Sequence, residues 1–205
     1  PFPQDPYEQL NLSVQAVFGS WNSERAEKYR QINKITGLFG TAVNVQTMVF
    51  GNMGSKSGTG VAFTRDGGTG HSKPMGEYLI DAQGEDVVAG IRTPKDLDDM
   101  PNEKEDVWTP AYNELQKIMN KLERHYKYPQ DVEFTVQDGK LYMLQTRNAK
   151  RTGLAGVRWA VEMATGKDFY TGASQPKILS QKEALMTLSG DDLEQLLFPI
   201  FDSNI

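Results

Sequence analysis

The stretch Asp131–Arg147, DVEFTVQDGKLYMLQTR, decides how this chain is read. Val132, Phe134 and Val136 alternate with Asp131, Glu133 and Thr135, the period-two pattern of a strand with one buried face. Asp138-Gly139 is a turn signal. On the returning strand Tyr142 and Leu144 share one face, and Leu141, Met143, Gln145 and Arg147 share the other. An odd-length loop with Gly139 in the left-handed region is expected to bring the two apolar sets together. The opposite face then holds Asp131, Glu133, Gln145 and Arg147 beside Met143. Two readings of that face stand side by side. Hard oxygen ligands next to a guanidinium suit Mg²⁺ and the phosphates it bridges. A solvated strand face with a cross-strand ion pair needs no ligand, and the hairpin alone does not choose between them.

Working outward, the sequence predicts an α+β layer structure in which a mixed or antiparallel sheet is flanked by helices. Residues 7 to 39 read as helical, with Asn22-Ser23 capping a second helix that ends at Gly37 or Gly40. Residues 41 to 50, TAVNVQTMVF, are β-branched and apolar and predict a strand, with Gln46 in its middle. GNMGSKSGTG, residues 51 to 60, reads either as a loop whose amides approach phosphate or as a flexible hairpin loop; it matches neither Walker A nor G-x-G-x-x-G. VAFTR predicts the next strand, and GEYLIDAQGEDVVAG one or two strands around Gly84. Glu77 begins that segment, and Glu85-Asp86 follows its turn; such acids orient phosphate or metal, or are solvated strand ends. Residues 110 to 126 carry Leu115, Ile118, Met119 and Leu122 at helical spacing. Residues 154 to 164, 181 to 188 and 191 to 198 are further helical stretches, the last stopped by Pro199. His71 and His125 have no partners at ligand spacing and read as structural or exposed.

The bulk numbers exclude more than they assign. The chain has 205 residues, a net charge of -5, no cysteine, 38% hydrophobic and 24% charged residues. The acidic balance argues against a nucleic-acid partner. The lack of cysteine removes disulfides, thiol nucleophiles and cysteine-ligated zinc. No apolar run approaches the ~20 residues of a membrane span. Position 1 is proline and no signal peptide follows it, so a piece of a longer, cytoplasmic or organellar (plastid) protein is the expectation.

Three segments, TAVNVQTMVFGNMGSKSGTGVAFTRD, GEYLIDAQGEDVVAGIRTP and DVEFTVQDGKLYMLQTRNAKRT, resemble the nucleotide-binding domain of the pyruvate, phosphate dikinase family, an ATP-grasp fold. The resemblance implies a helical lead-in over 1–40, a nucleotide-binding lobe over 41–150, and over 151–205 a helical extension and linker. It implies a parent enzyme that interconverts ATP, phosphate and pyruvate with AMP, pyrophosphate and phosphoenolpyruvate through a phosphohistidine. Gln46, Thr47, Met48 and Val49 then contact adenine, with Met143 and Leu144 flooring the base. Gly54, Ser57, Gly58, Thr59 and Gly60 close over the phosphates, with Glu77 in the same nucleotide set. Glu133 and Gln145, with Asp131 nearby, hold Mg²⁺; Arg147 meets the transferring phosphoryl group, with Glu85 and Asp86 at the phosphate end. The other ATP-grasp lobe, the phosphohistidine domain and the pyruvate-binding barrel are expected elsewhere in a homo-oligomeric parent, leaving this piece inactive alone. Phosphoenolpyruvate synthase and glucan, water dikinase are the neighbouring readings; a stand-alone nucleotide-binding module without turnover is the reading from another class.

Overall fold

A computed structural model describes residues 2–88, 90 and 92–197. They fall into two compact units divided between Met48 and Val49.

The second unit is built on the hairpin. Strands β1 (Gly58–Phe63), β2 (Met75–Ile80), β3 (Lys95–Asp96), β4 (Gln130–Gln137) and β5 (Lys140–Asn148) form one sheet in the order β3-β2-β1-β4-β5. Every pairing is antiparallel. One face is covered by α4 (Trp108–Tyr126), whose Trp108, Ala111, Leu115 and Met119 pack on Ala62, Tyr78, Val132, Phe134, Val136 and Leu141. This is the expected amphipathic helix laid on the expected apolar strand face, so the core sits on one side of the sheet and leaves the other open.

After the sheet come α5 (Gly153–Thr165), α6 (Gln181–Met186) and α7 (Gly190–Leu197). Thr152 caps α5, and Ser180 with Glu183 forms a capping box on α6. These helices carry their own small clusters, one around Ala160, Met163 and Leu179, the other around Ala155 and Trp159. The expected stop at Pro199 lies outside the described residues. No helix among the described residues is long and apolar enough to cross a membrane.

In the first unit, Asp5 caps α1 (Pro6–Ser20) and Ser23 caps α2 (Glu24–Ile32). Neither helix buries a residue. The Arg30 guanidinium lies 3.9 Å over the Trp21 ring, beside a cavity of about 510 Å³ lined also by Tyr29, Ile35 and Leu38.

Three expectations are corrected. Residues 41 to 50 form no strand: Val45 and Met48 are exposed, and the segment has no ladder partner among the described residues. β-propensity expresses fit to a half-buried sheet, and without a neighbouring strand it has nothing to act on. The segment after Gly84 is not a strand but the short helix α3 (Gly84–Val88). The hairpin loop is not odd-length; Asp138 (φ 47°) and Gly139 (φ 81°) make a two-residue turn with both positions left-handed. That turn matches the strand twist and pairs Val136 with Leu141 and Phe134 with Met143.

Candidate functional site on the open sheet face

The hairpin reaches its expected face by another route. Phe134 opposes Met143, yet Glu133 opposes Gln145, so Leu144 is an extra residue in β5, a β-bulge. Up to Met143 the apolar side chains of β5 turn to the covered face. Beyond the bulge the alternation reverses, and Gln145 and Arg147 stand on the open face opposite Glu133 and Asp131. Met143 packs against the covered core and is not beside them, which corrects its placement there. Leu144, the bulged residue, is exposed and lines a cavity.

Register extends this face across the sheet. Thr59 lies between Leu79 and Thr135, Val61 between Glu77 and Glu133, and Phe63 between Met75 and Asp131. Two hollows open on it. One, about 480 Å³, is lined by Thr59, Gly60, Val61, Glu133 and Leu144, with Glu85 and Val87 of α3 as its far wall. The other, about 140 Å³, lies among Val61, Phe63, Asp131, Glu133, Gln145 and Arg147. The bulge therefore places Leu144 at the apolar hollow and two polar residues at the charged one.

Asp131 is the buried member, 6% exposed. Its Oδ2 lies 3.4 Å from Arg147 Nε, while Oδ1 is buried without a hydrogen-bond partner. Burial pushes the carboxyl above its ordinary range against the opposing pull of Arg147 and of the Lys150 backbone N–H and charge nearby. An unsatisfied buried carboxylate oxygen costs free energy that a cation or donor would recover. Among the described residues no three acidic or histidine side chains converge in a metal cluster. The oxygens present are two carboxylates and the Gln145 amide, a hard-oxygen set that fits Mg²⁺ when phosphates supply the remaining ligands.

The glycine loop is braced rather than loose. Gly54 N–H donates to Asp81 Oδ1 at 2.9 Å, and Ser57 N–H donates to the Gly54 carbonyl at 3.0 Å. Ser57, fully buried, accepts the Asp138 N–H on its Oγ, and the Lys56 carbonyl accepts the Gly139 N–H. The loop is thus stitched to the hairpin turn. A Cβ on Gly60 would lie 2.6 Å from Phe134 Cζ, and one on Gly58 2.8 Å from the Trp108 ring. Those two glycines are required by the core packed over them, a reason the sequence reading missed. Thr59 Oγ1 donates to the Phe134 carbonyl at 3.0 Å.

The acidic pair divides. Glu85 lines the larger hollow, while Asp86 turns back to accept the Gln83 N–H at 2.7 Å. Glu77 is exposed on the open face. Gln46, Thr47 and Met48 lie in the first unit, and Val49 begins the second. His71 stacks on Tyr170 at 4.1 Å, and His125 sits edge-on to Tyr126 at 4.9 Å, both away from this face.

Residues 4–99 and 96–167 match the family described as "Pyruvate phosphate dikinase, AMP/ATP-binding domain". The chain belongs to that family. It is 55% identical over 99% of its length to pyruvate, phosphate dikinase 1, chloroplastic, of Zea mays, covering 20% of that protein. It is 54% identical to pyruvate, phosphate dikinase 2 of Zea mays, over 99% of the chain and 21% of the relative. With the chloroplastic enzyme of Arabidopsis thaliana the identity is 53%, over 98% of the chain and 19% of the relative. The chain thus spans about a fifth of the curated relatives it matches.

Proposed function

We propose that the open sheet face binds the phosphates of ATP or AMP, as half of an ATP-grasp clamp in a pyruvate, phosphate dikinase. The observation that carries this reading is the gathering of Asp131, Glu133, Gln145 and Arg147 around one hollow, beside an apolar hollow walled by Leu144 and Val87. Polyphosphate and Mg²⁺ suit the charged hollow, and an apolar group suits the other. Glu133 and Gln145, with the unpartnered oxygen of Asp131, would hold Mg²⁺, which when bound offsets phosphate charge. Arg147 is 54% exposed at its side chain and free to reach outward, and Asp131 restrains its base. Its guanidinium is suited to charge that builds on a phosphoryl group in transfer. Thr59 and the α3 end with Glu85 border the same space. In the parent, ATP would give up two phosphoryl groups: one would join phosphate as pyrophosphate, and the other would pass by way of a histidine on a separate domain to pyruvate as phosphoenolpyruvate, leaving AMP.

The test is single-turnover kinetics from ATP to phosphoenzyme in the full-length protein, run across Mg²⁺ concentrations. Arg147→Ala should slow phosphorylation by ~10²–10³ while changing ATP affinity little, the usual cost of losing a charge-stabilising donor. Glu133→Ala should instead raise the Mg²⁺ requirement. A wild-type phosphorylation rate in Arg147→Ala would leave the face a solvated ion-pair surface.

A further inference from the structure

The hairpin has two ways to pair, and only one makes the site. Continuing the ladder from the turn without a bulge would set Leu144 opposite Glu133 and Gln145 opposite Val132. Arg147 would then oppose Gln130, and both polar residues would turn to the covered face. Val132, Phe134 and Val136 specify which face of β4 is buried, and the unbulged pairing would carry the polar Gln145 and the charged Arg147 in beside them. A directional contact at the start of β4 adds to that choice and can be tested by itself.

Gln130 supplies it. It is 1% exposed, at the start of β4 on the covered face. Its Nε2 donates to Asn148 Oδ1 at 2.9 Å and to the Tyr128 and Pro129 carbonyls at 3.0 and 3.1 Å. Its Oε1 accepts from Thr146 Oγ1 at 3.0 Å. The strand is held from the other side too, because Gln130 N–H donates to Thr64 Oγ1 at 2.9 Å and its carbonyl accepts the Thr64 N–H. Thr146 and Asn148 face Gln130 only because the bulge has reversed the alternation of β5. In the unbulged pairing both would stand on the open face; Gln130 Nε2 would keep the Tyr128 and Pro129 carbonyls, but its buried Oε1 would lose the Thr146 hydroxyl, at ~1–3 kcal/mol.

We infer that Gln130 is a positioning residue: its amide selects the bulged register and so holds Gln145 and Arg147 on the open face. The catalytic half of this inference rests on the reading of Arg147 given above; the register half does not. Arg147 needs to be placed closely, since a misplacement of ~1 Å can cost ~10²-fold in rate.

The experiment uses the full-length protein with Gln130→Met, which keeps length and volume without the polar atoms, and the milder Thr146→Val. Hydrogen exchange read by mass spectrometry should quicken over residues 145–148 in both variants while 141–143 stay as in wild type. A general loss of stability would quicken both segments alike, and that result, or no change in either, overturns the register lock. Deleting Leu144 sharpens the test. Without the extra residue the plain ladder itself faces Gln145 and Arg147 outward, so Gln130→Met should lose its selective effect on 145–148. Persistence of that effect overturns the inference. In single turnover, Gln130→Met should phosphorylate ~10-fold or more slowly, with no further loss when added to Arg147→Ala. If Arg147→Ala alone leaves the rate unchanged, the catalytic reading fails while the exchange results still decide the register lock.

Discussion

Arg65, at the end of β1, answers two buried carboxylates at once. Its Nε and Nη2 reach Glu123 of α4 at 2.7–3.1 Å, and its Nη1 reaches Glu162 of α5 at 2.6 Å. One positive and two negative groups leave an excess of buried negative charge. Burial pushes the Glu162 carboxyl above its ordinary range, with the Phe169 N–H and Arg65 opposing and the charge of Asp168 adding to the rise. A raised folded-state pKa on an acid stabilises the protein below the unfolded value of ~4.3, and that contribution is lost as pH rises through the folded value. Glu162→Gln removes this titration. Urea midpoints of wild type and variant should therefore differ most in wild type's favour near pH ~4.3. The difference should shrink as pH rises. A difference that stays flat or grows would show that Glu162 is not held above its ordinary range. Arg65→Met should cost ~3–5 kcal/mol, since it strands two carboxylates in the interior. None of this was legible in VAFTR, which reads only as a strand. The partners lie 58 and 97 residues away, and local pattern carries no information at that distance.

At the level of elements, the hairpin shows which local signals survive folding. Period-two alternation in β4 and the Asp-Gly turn are enforced by neighbouring residues, and both appear where the sequence places them. The polar quartet also shares one face, as read, but through a bulge that no composition signals. Leu141, Met143, Gln145 and Arg147 look like one face until a single extra residue splits them. Segment 41 to 50 fails for the opposite reason, because its strand signal is strong and its partner is lacking among the described residues. Two substitutions probe the hairpin. Gly139 holds φ 81°, and a Cβ there would lie 2.9 Å from Val107 Cγ1. Gly139→Ala should accordingly lower stability by ~1–2 kcal/mol, read as a shift in the denaturant midpoint. Deleting Leu144 should spare the fold, because Glu133 still meets Gln145 and Phe134 still meets Met143. It should weaken nucleotide binding, because the larger hollow loses an apolar wall. An unfolded deletion variant would mean that the bulge is needed for packing and not only for the site.

The whole chain divides at a point that matters for binding. Residues 49 to 197 contain the three buried clusters and the sheet, whereas the helices of the first unit bury nothing. Helices of 15 and 9 residues without a packed face are marginal in water. A piece spanning residues 49 to 197 should consequently melt in one cooperative transition, and a piece spanning 2 to 48 should show little helix by circular dichroism. The open face belongs wholly to the larger unit, and so do both hollows, of about 480 and 140 Å³. It is one wall, while the chain covers about a fifth of its relatives. Good small-molecule sites bury ~70–90% of their ligand, and a nucleotide laid on one sheet face leaves much of itself in water. Phosphate charge left in solvent is screened, so Arg147 and the oxygens around it contribute less than they would in a closed site. Calorimetry of the 205-residue chain with MgATP should give a dissociation constant in the high micromolar range (on the order of -4 to -5.5 kcal/mol) or weaker. Gln145→Ala should weaken it further, and Arg147→Ala should change it little. A nanomolar constant would mean that this chain already encloses its nucleotide, and the one-walled reading of the face would be wrong.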